Sequence, residues 1–208
     1  MSETRTRLTR EESQAQTRER LLAAARSEVV RQGFGSASVR DIAEAAGYSQ
    51  GAFYSNFASK EAILLQLMRQ HMLEEADQLK SILASADDAA GSALEDLQAW
   101  ADTLNAEIDW SMLALELQLH AHRSSAFAAD YDEVMSGHSK ALGVIVDGFY
   151  QKLGRKPQLD PRQLAGGYMA LAHGLALQRR RDSDVPAGKL IMIFVKALLT
   201  TAEPVLQN

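Results

Sequence analysis

The chain has 208 residues, with 22 Lys+Arg against 27 Asp+Glu and a net charge of −5, enough length for one or two domains with a real core and too acidic overall for a general nucleic-acid coat. It contains no cysteine, which excludes a disulfide framework, a thiolate nucleophile and a Cys-based zinc site. The charge is unevenly placed, +2 over residues 1–60 and −7 over residues 61–208, so an anionic partner is expected at the N-terminal end.

Residues 1–14, MSETRTRLTREESQ, are polar and lack the apolar segment of a secretory signal; they are expected to form a flexible arm bearing Arg5, Arg7 and Arg10. A first helix is expected over Thr17–Gln32, where Leu21, Leu22, Ala25, Val29 and Val30 recur at helical spacing. After the Gly33-Phe34 turn, Ser38 can cap a second helix and Asp41 completes a capping box. Val39, Ile42, Ala43 and Ala46 make its apolar stripe, and Gly47 stops it by taking the left-handed conformation without steric cost. Ser49 can cap a third helix, in which Phe53 faces the second and Phe57 closes the unit. Two helices joined by a tight glycine-containing turn form a helix-turn-helix, whose second helix enters the major groove of DNA.

Two local rules are broken in this stretch. Gly51 lies inside the third helix, where it costs about 1 kcal/mol relative to alanine, yet a helix pressed against base edges gains from lacking a side chain there. Lys60 follows the cap Ser59 and puts a cation at the positive end of the next helix dipole. A bound phosphate resolves that conflict. Ser49, Gln50 and Ala52 are therefore expected to meet base edges, and Thr17, Arg40, Tyr54, Asn56 and Lys60 to hold phosphates, with Ser38 and Gly51 completing the DNA-facing set.

At this point the chain resembles the TetR family of one-component transcriptional repressors. The resemblance is carried by the Thr17–Gln32 helix, the Gly33-Phe34 turn and VRDIAEAAGYSQGAFYSNFASKEAIL from Val39 to Leu64, about a quarter of the chain. The A-x-x-x-G of Ala43–Gly47 and the F-Y-S-N-F followed by S-K-E match the family's N-terminal signature. Many members have threonine or another polar residue where this chain has Ala52, which leaves either an apolar contact to a thymine methyl or fewer base-specific hydrogen bonds. The resemblance implies a dimeric repressor of a palindromic operator, released by a small molecule.

Further along, helices are expected over Ser59 to about Ala84, Ser92–Glu107, Asp109–Ser124, about Ala126 to Leu153, Asp160–Arg181 and Pro186–Thr201, with a break at Ser85–Gly91 and no strand pattern. The expected fold class is all-α: an N-terminal three-helix helix-turn-helix domain, residues 1–58, and a helical effector-binding and dimerisation domain, residues 59–208, about nine helices in total. The longest strongly apolar run, Leu190–Val195, cannot span a bilayer, so no membrane partner and a cytoplasmic location are expected.

In the second domain Trp100, Leu104, Trp110, Leu113, Leu117, Phe127, Tyr131, Met135 and Phe149 are expected to line an apolar cavity, with His120 and His173 as polar anchors. A hydrophobic or aromatic effector would suit that lining. Gly166, Gly167, Ala170, Ala172, Gly174 and Ala176 crowd one helix with small residues, better explained by another helix approaching closely than by propensity. Its stripe Leu164, Tyr168, Leu171 and Leu175, with Leu190, Ile193, Phe194, Ala197 and Leu198 of the last helix, could pack only within the monomer or, as the resemblance implies, form a four-helix dimer interface that also includes Gly167. Recognition of a palindrome requires two heads roughly 34–36 Å apart.

Catalysis and metal binding find no support. His120 and His122 point to different sides of a helix, His71 and His138 stand alone on polar faces, and Glu74-Glu75 and Asp87-Asp88 look like solvated helix-end charges. No zinc-hydrolase, nucleophile-elbow or P-loop motif occurs. No enzyme activity, cofactor or metal is expected. The alternatives are a DNA-binding regulator without a ligand, and a helical ligand- or partner-binding protein whose head is idle; the intact Tyr54 and Lys60 argue against the second.

Overall fold

The computed structural model describes residues 9–85, 90–103, 110–178 and 187–204. Among them are nine helices: α1 (Arg10–Ser36), α2 (Val39–Ala45), α3 (Gln50–Tyr54), α4 (Lys60–Ser85), α5 (Ala90–Ala101), α6 (Trp110–Arg123), α7 (Ser125–Lys152), α8 (Pro161–Gln178) and α9 (Ala187–Thr201). The chain divides into two compact units, Met1–Met68 and Arg69–Asn208.

In the first unit α1 starts well before Thr17, so the expected arm is helical from Arg10 onward. The reason is a capping box: Glu12 N–H donates to the Thr9 hydroxyl at 3.2 Å, and Thr9 N–H donates to the Glu12 carboxylate at 2.7 Å. Gly33, at φ 78°, breaks the regular helix where the Gly33-Phe34 turn is expected. Helix α2 begins on the Ser38–Asp41 capping box and ends at Gly47, φ 77°, with Tyr48 N–H donating to the Ala43 carbonyl at 2.8 Å. An alanine at Gly47 would have room but would carry a left-handed backbone. Leu21, Ala25, Ile42 and Phe53 fill the centre of this unit, joined by Ile63 and Leu64 from the start of α4; none of these is measurably exposed.

In the second unit α7 packs along α8, α6 lies against both, and α5 and α8 each pack on α9. One apolar cluster joins Ala76 and Leu79 of α4, Ala93 of α5, and Ile145 and Phe149 of α7. Another joins Tyr150, Leu164, Leu199 and Ala202. Gly143 lets α7 approach the first turn of α8, since a Cβ there would meet the Arg162 backbone at 3.2 Å. A two-residue antiparallel ladder, β1 (Arg155–Lys156) with β2 (Glu203–Pro204), ties the end of α9 back to the α7–α8 connection. The sequence offers no strand signal for so short a pair, which is held partly by Arg155 donating from Nη1 to the Ala202 carbonyl at 3.1 Å.

Candidate nucleic-acid interface and effector region

The short α3 cannot hold itself: five residues are far too few for an independent helix. Ser49 caps it, accepting from Ala52 N–H at 3.2 Å. Phe53 anchors it from below, fully buried and edge-on to Tyr54 with ring centres 5.5 Å apart. Arg18 on α1 fixes its far end. That guanidinium donates from Nη1 to the Asn56 carbonyl at 2.7 Å and lies 4.2 Å over the Phe57 ring. The long-range role of Arg18 has no local sequence signal, since it joins residues 38 apart.

So held, α3 turns Ser49, Gln50, Gly51 and Tyr54 to solvent, with Ala52 half-buried. A Cβ at Gly51 would touch only the Ser49 hydroxyl, at 3.6 Å, so folding within the chain does not require glycine there. Arg40 and Glu44, both largely exposed, are 3.9 Å apart, too loose a pair to tie Arg40 down. Ser59 caps α4 by accepting from Ala62 N–H at 3.1 Å, leaving Lys60 as the first helical residue.

Three of the expected DNA-facing side chains make hydrogen bonds within the chain. Ser38 accepts from Asp41 N–H at 3.1 Å and donates to the Asp41 carboxylate at 2.6 Å, which holds that carboxyl below its ordinary range. Asn56 donates to the Ala52 carbonyl at 2.8 Å and closes the end of α3. Thr17 donates to the Ser13 carbonyl at 2.8 Å. A buried carboxylate also went unanticipated: Glu28 accepts from Arg31 and, at 2.7 Å, from Gln32.

In the second unit the expected lining residues separate into two groups; Leu104 lies outside the described residues. Trp100 and Phe149 belong to the α4–α5–α7 cluster, where Trp100 donates from Nε1 to Gln78 at 3.0 Å. Along α6 and the first half of α7, Leu113, Leu117, Phe127 and Tyr131 are buried and Trp110, His120 and Met135 half-buried. His120 meets Phe127 edge-on at 5.0 Å, and Phe127 meets Tyr131 at 6.2 Å. Burial, with the nearby Asp132 charge, pushes the Tyr131 phenol up to about 12.

Two side chains expected on polar faces turn inward. His138 is 8% exposed, and its Nε2 lies 3.7 Å from the Glu75 carboxylate. His71 stacks on Trp110 with ring centres 3.9 Å apart. Burial, aided by the nearby His173, pulls His138 down to about 4, while burial raises Glu75 to about 7. The contact is therefore not an ion pair at neutral pH: the imidazole is neutral and the carboxyl partly protonated. Helical periodicity carried the signal. Glu75 is three residues after buried Met72 and four before buried Leu79, and His138 is seven after buried Tyr131.

On α8 the apolar stripe begins inside the chain's own core. Leu164 is buried against Tyr150 and Leu199, Tyr168 packs against that cluster, and Leu171, Leu175 and Leu190 are half-buried. Leu164 is thus core rather than interface. The open face is the glycine side: Gly166, Gly167 and Gly174 have nothing within 4 Å of an added Cβ. Leu177, Ile193 and Phe194 are more than half exposed, Leu198 is 39% exposed, and Ala197 is exposed.

Among the described residues no group of three His, Asp or Glu side chains could hold a metal ion, and no helix is long and apolar enough to cross a membrane.

Residues 21–67 match the family described as bacterial regulatory proteins, tetR family. A Bacillus subtilis protein described as an uncharacterized HTH-type transcriptional regulator, YwcC, is 39% identical over 69 residues, which span 28% of this chain and only 30% of that protein. The fold extends further. A putative transcriptional regulator from Saccharomonospora viridis, solved in complex with choline, superposes with a TM-score of 0.65 at 19% identity, over 91% of this chain and 99% of that one. The regulator FadR of Bacillus subtilis, solved in complex with stearoyl-CoA, gives 0.62 at 22% identity, over 88% and 97%.

Proposed function

We propose that this chain, which belongs through its N-terminal domain to the tetR family of bacterial regulatory proteins, is a sequence-specific DNA-binding regulator that represses from a palindromic operator as a cytoplasmic homodimer and is released by a small effector. The observation that carries the reading is the exposed side of α3: Ser49, Gln50, Gly51 and Tyr54 are presented by a helix anchored from behind by Phe53 and Arg18. Gln50 and Ala52 would meet base edges, while Tyr54, Arg40 and Lys60 would set register on phosphates. Thr17, Ser38 and Asn56 would contribute by fixing backbone positions.

The open glycine face of α8 and the exposed Ile193, Phe194 and Leu198 of α9 support the dimer, because exposed apolar surface of that kind marks an association site. Two fold neighbours were solved with small organic molecules as different as choline and stearoyl-CoA, which supports an effector site without indicating its chemistry. Effector can release DNA only by binding one of two conformations better, with a coupling of about 1–3 kcal/mol.

The test is fluorescence anisotropy with the DNA flanking this protein's gene, over a salt series and against random-sequence competitor. Tight, competitor-resistant binding supports the reading. Binding wholly lost to competitor on every flanking fragment counts against a sequence-specific regulator.

A further inference from the structure

Arg18 brings a cation to the far end of α3 without a counter-charge. Its Nη1 donates to the Asn56 carbonyl at 2.7 Å, and the guanidinium lies 4.2 Å over the Phe57 ring. Both partners are neutral, and among the described residues no carboxylate forms an ion pair with Arg18. The residue is nevertheless half-buried, and a partly desolvated charge is ordinarily paired. Holding the Asn56 carbonyl takes one N–H, which a neutral amide side chain would also supply. A guanidinium exceeds that duty.

The geometry says where the excess lies. Stacking on Phe57 occupies the face of the guanidinium and leaves its N–H groups directed outward in the plane. Of the five donors such a group carries, one is used. No other acceptor among the described residues takes a second, the buried and unpartnered Asn56 Oδ1 included. The held carbonyl belongs to the turn between the exposed Tyr54 and Lys60, the first residue of α4 behind the Ser59 cap. Those are two of the side chains proposed above for phosphates. A planar set of spare donors on a cation, placed at that turn, is what bidentate recognition of a phosphate uses.

We propose that Arg18 is itself a phosphate-binding residue of the DNA interface, and that it ties phosphate binding to the placement of α3. The same guanidinium holds the Asn56 carbonyl with one N–H and donates its remaining edge to phosphate oxygens. The inference rests on reading this unit as a DNA-binding head. The phosphate supplies the missing counter-charge, and α1 joins α3 and α4 in setting register on the duplex.

Fluorescence anisotropy of the full chain tests this on a fragment flanking its gene and on a random duplex, from about 50 to 200 mM salt. Arg18→Gln removes the charge but keeps an N–H for the Asn56 carbonyl; Arg18→Met replaces it should that variant not fold, and Arg18→Lys keeps the charge. The neutral variant is expected to lower the salt slope by about one per bound head on both duplexes, so that the wild-type advantage is about threefold larger at the low-salt end for each head. Arg18→Lys is expected to keep the slope, and amide exchange over residues 50–57 checks that α3 still forms. In the wild type, the Arg18 guanidinium N–H resonances are expected to shift and gain protection when duplex is added. Three results would each overturn the proposal. An unchanged slope in the neutral variant would leave Arg18 a brace for α3 only. An equal loss of slope in Arg18→Lys would trace the effect to a displaced α3 rather than to the charge. Guanidinium resonances indifferent to duplex would exclude the contact directly. Wild-type chain that binds no duplex removes the DNA-binding reading and this proposal together, whereas salt-dependent wild-type binding with any of the three results removes this proposal alone.

Discussion

The Glu75–His138 contact makes a prediction about stability that needs no ligand. Burial raises Glu75 from 4.5 to about 7, so its contribution to folding is fully present below pH 4.5 and is lost as pH rises through 7. His138 falls from 6.5 to about 4, so it costs nothing above pH 6.5 and imposes a growing penalty as pH falls toward 4. Between pH 7.5 and pH 5 the first effect adds about 2 kcal/mol of stability and the second removes about 2 kcal/mol, at roughly 1.4 kcal/mol per pH unit. Neither side chain is more than a fifth exposed, so solvent screening discounts these figures little. The two terms nearly cancel because folding moves a proton from histidine to glutamate. The pair therefore leaves the wild-type chain almost insensitive to pH in this window. Removing one partner exposes the other. Relative to wild type, Glu75→Gln is expected to lose about 2 kcal/mol between pH 7.5 and pH 5, and His138→Gln to gain about 2 kcal/mol. Urea unfolding followed by tryptophan fluorescence measures this directly, because Trp100 and Trp110 both lie in the second unit. Variants that track wild type in parallel across both pH values would refute the buried, oppositely shifted pair.

Lys60→Ala is expected to weaken operator and random DNA alike and to reduce the salt dependence by about one per site lost; altered base preference at unchanged affinity would contradict a phosphate contact. Gln50→Ala should relax preference at one base position per half-site in a binding-site selection, and an unchanged preference would remove Gln50 from the base-reading set. Arg18→Ala should cost the first unit about 1–2 kcal/mol through the lost bond to the Asn56 carbonyl and the lost Phe57 contact, seen as faster amide exchange over residues 50–57. Gly167→Leu combined with Phe194→Glu should leave the subunit folded, since a Cβ at Gly167 meets nothing within 4 Å and Phe194 is exposed. Sedimentation of the double variant at the same rate as wild type would show that this face does not mediate association.

The first unit was legible because its rules are local. Ser38 with Asp41, Gly47, and Ser49 with Ala52 each act within four residues, and the structure realises all three. Thr9 and Glu12 follow the same rule, although the polar, arginine-bearing segment around them also suits a flexible arm. Arg18 was beyond reach for the opposite reason: its partner is 38 residues away, and only the closed fold brings the two together. On α8 the sequence displayed both a leucine stripe and a glycine face, and periodicity alone does not say which one is covered. Leu164 packing against Tyr150 and Leu199 decides it, leaving the glycines open.

Glu74 and Glu75 show how fine that limit is. Adjacent glutamates look alike in any window average, but one residue is 100° of helix rotation. Glu74 is exposed, and Glu75 falls on the stripe of Met72, Ala76 and Leu79. The strict i, i+3, i+7 series from Met72 to Leu79 runs through Glu75 and puts it on the inward face. The same holds for His138 in the series Phe127, Tyr131, His138. A charged or titratable residue on an otherwise apolar stripe breaks the pattern that builds the core, and its burial asks for a partner. Here the partner is the other titratable group of the pair: His138 Nε2 lies 3.7 Å from the Glu75 carboxyl, and burial shifts the two in opposite directions, so that neither stands as an isolated charge.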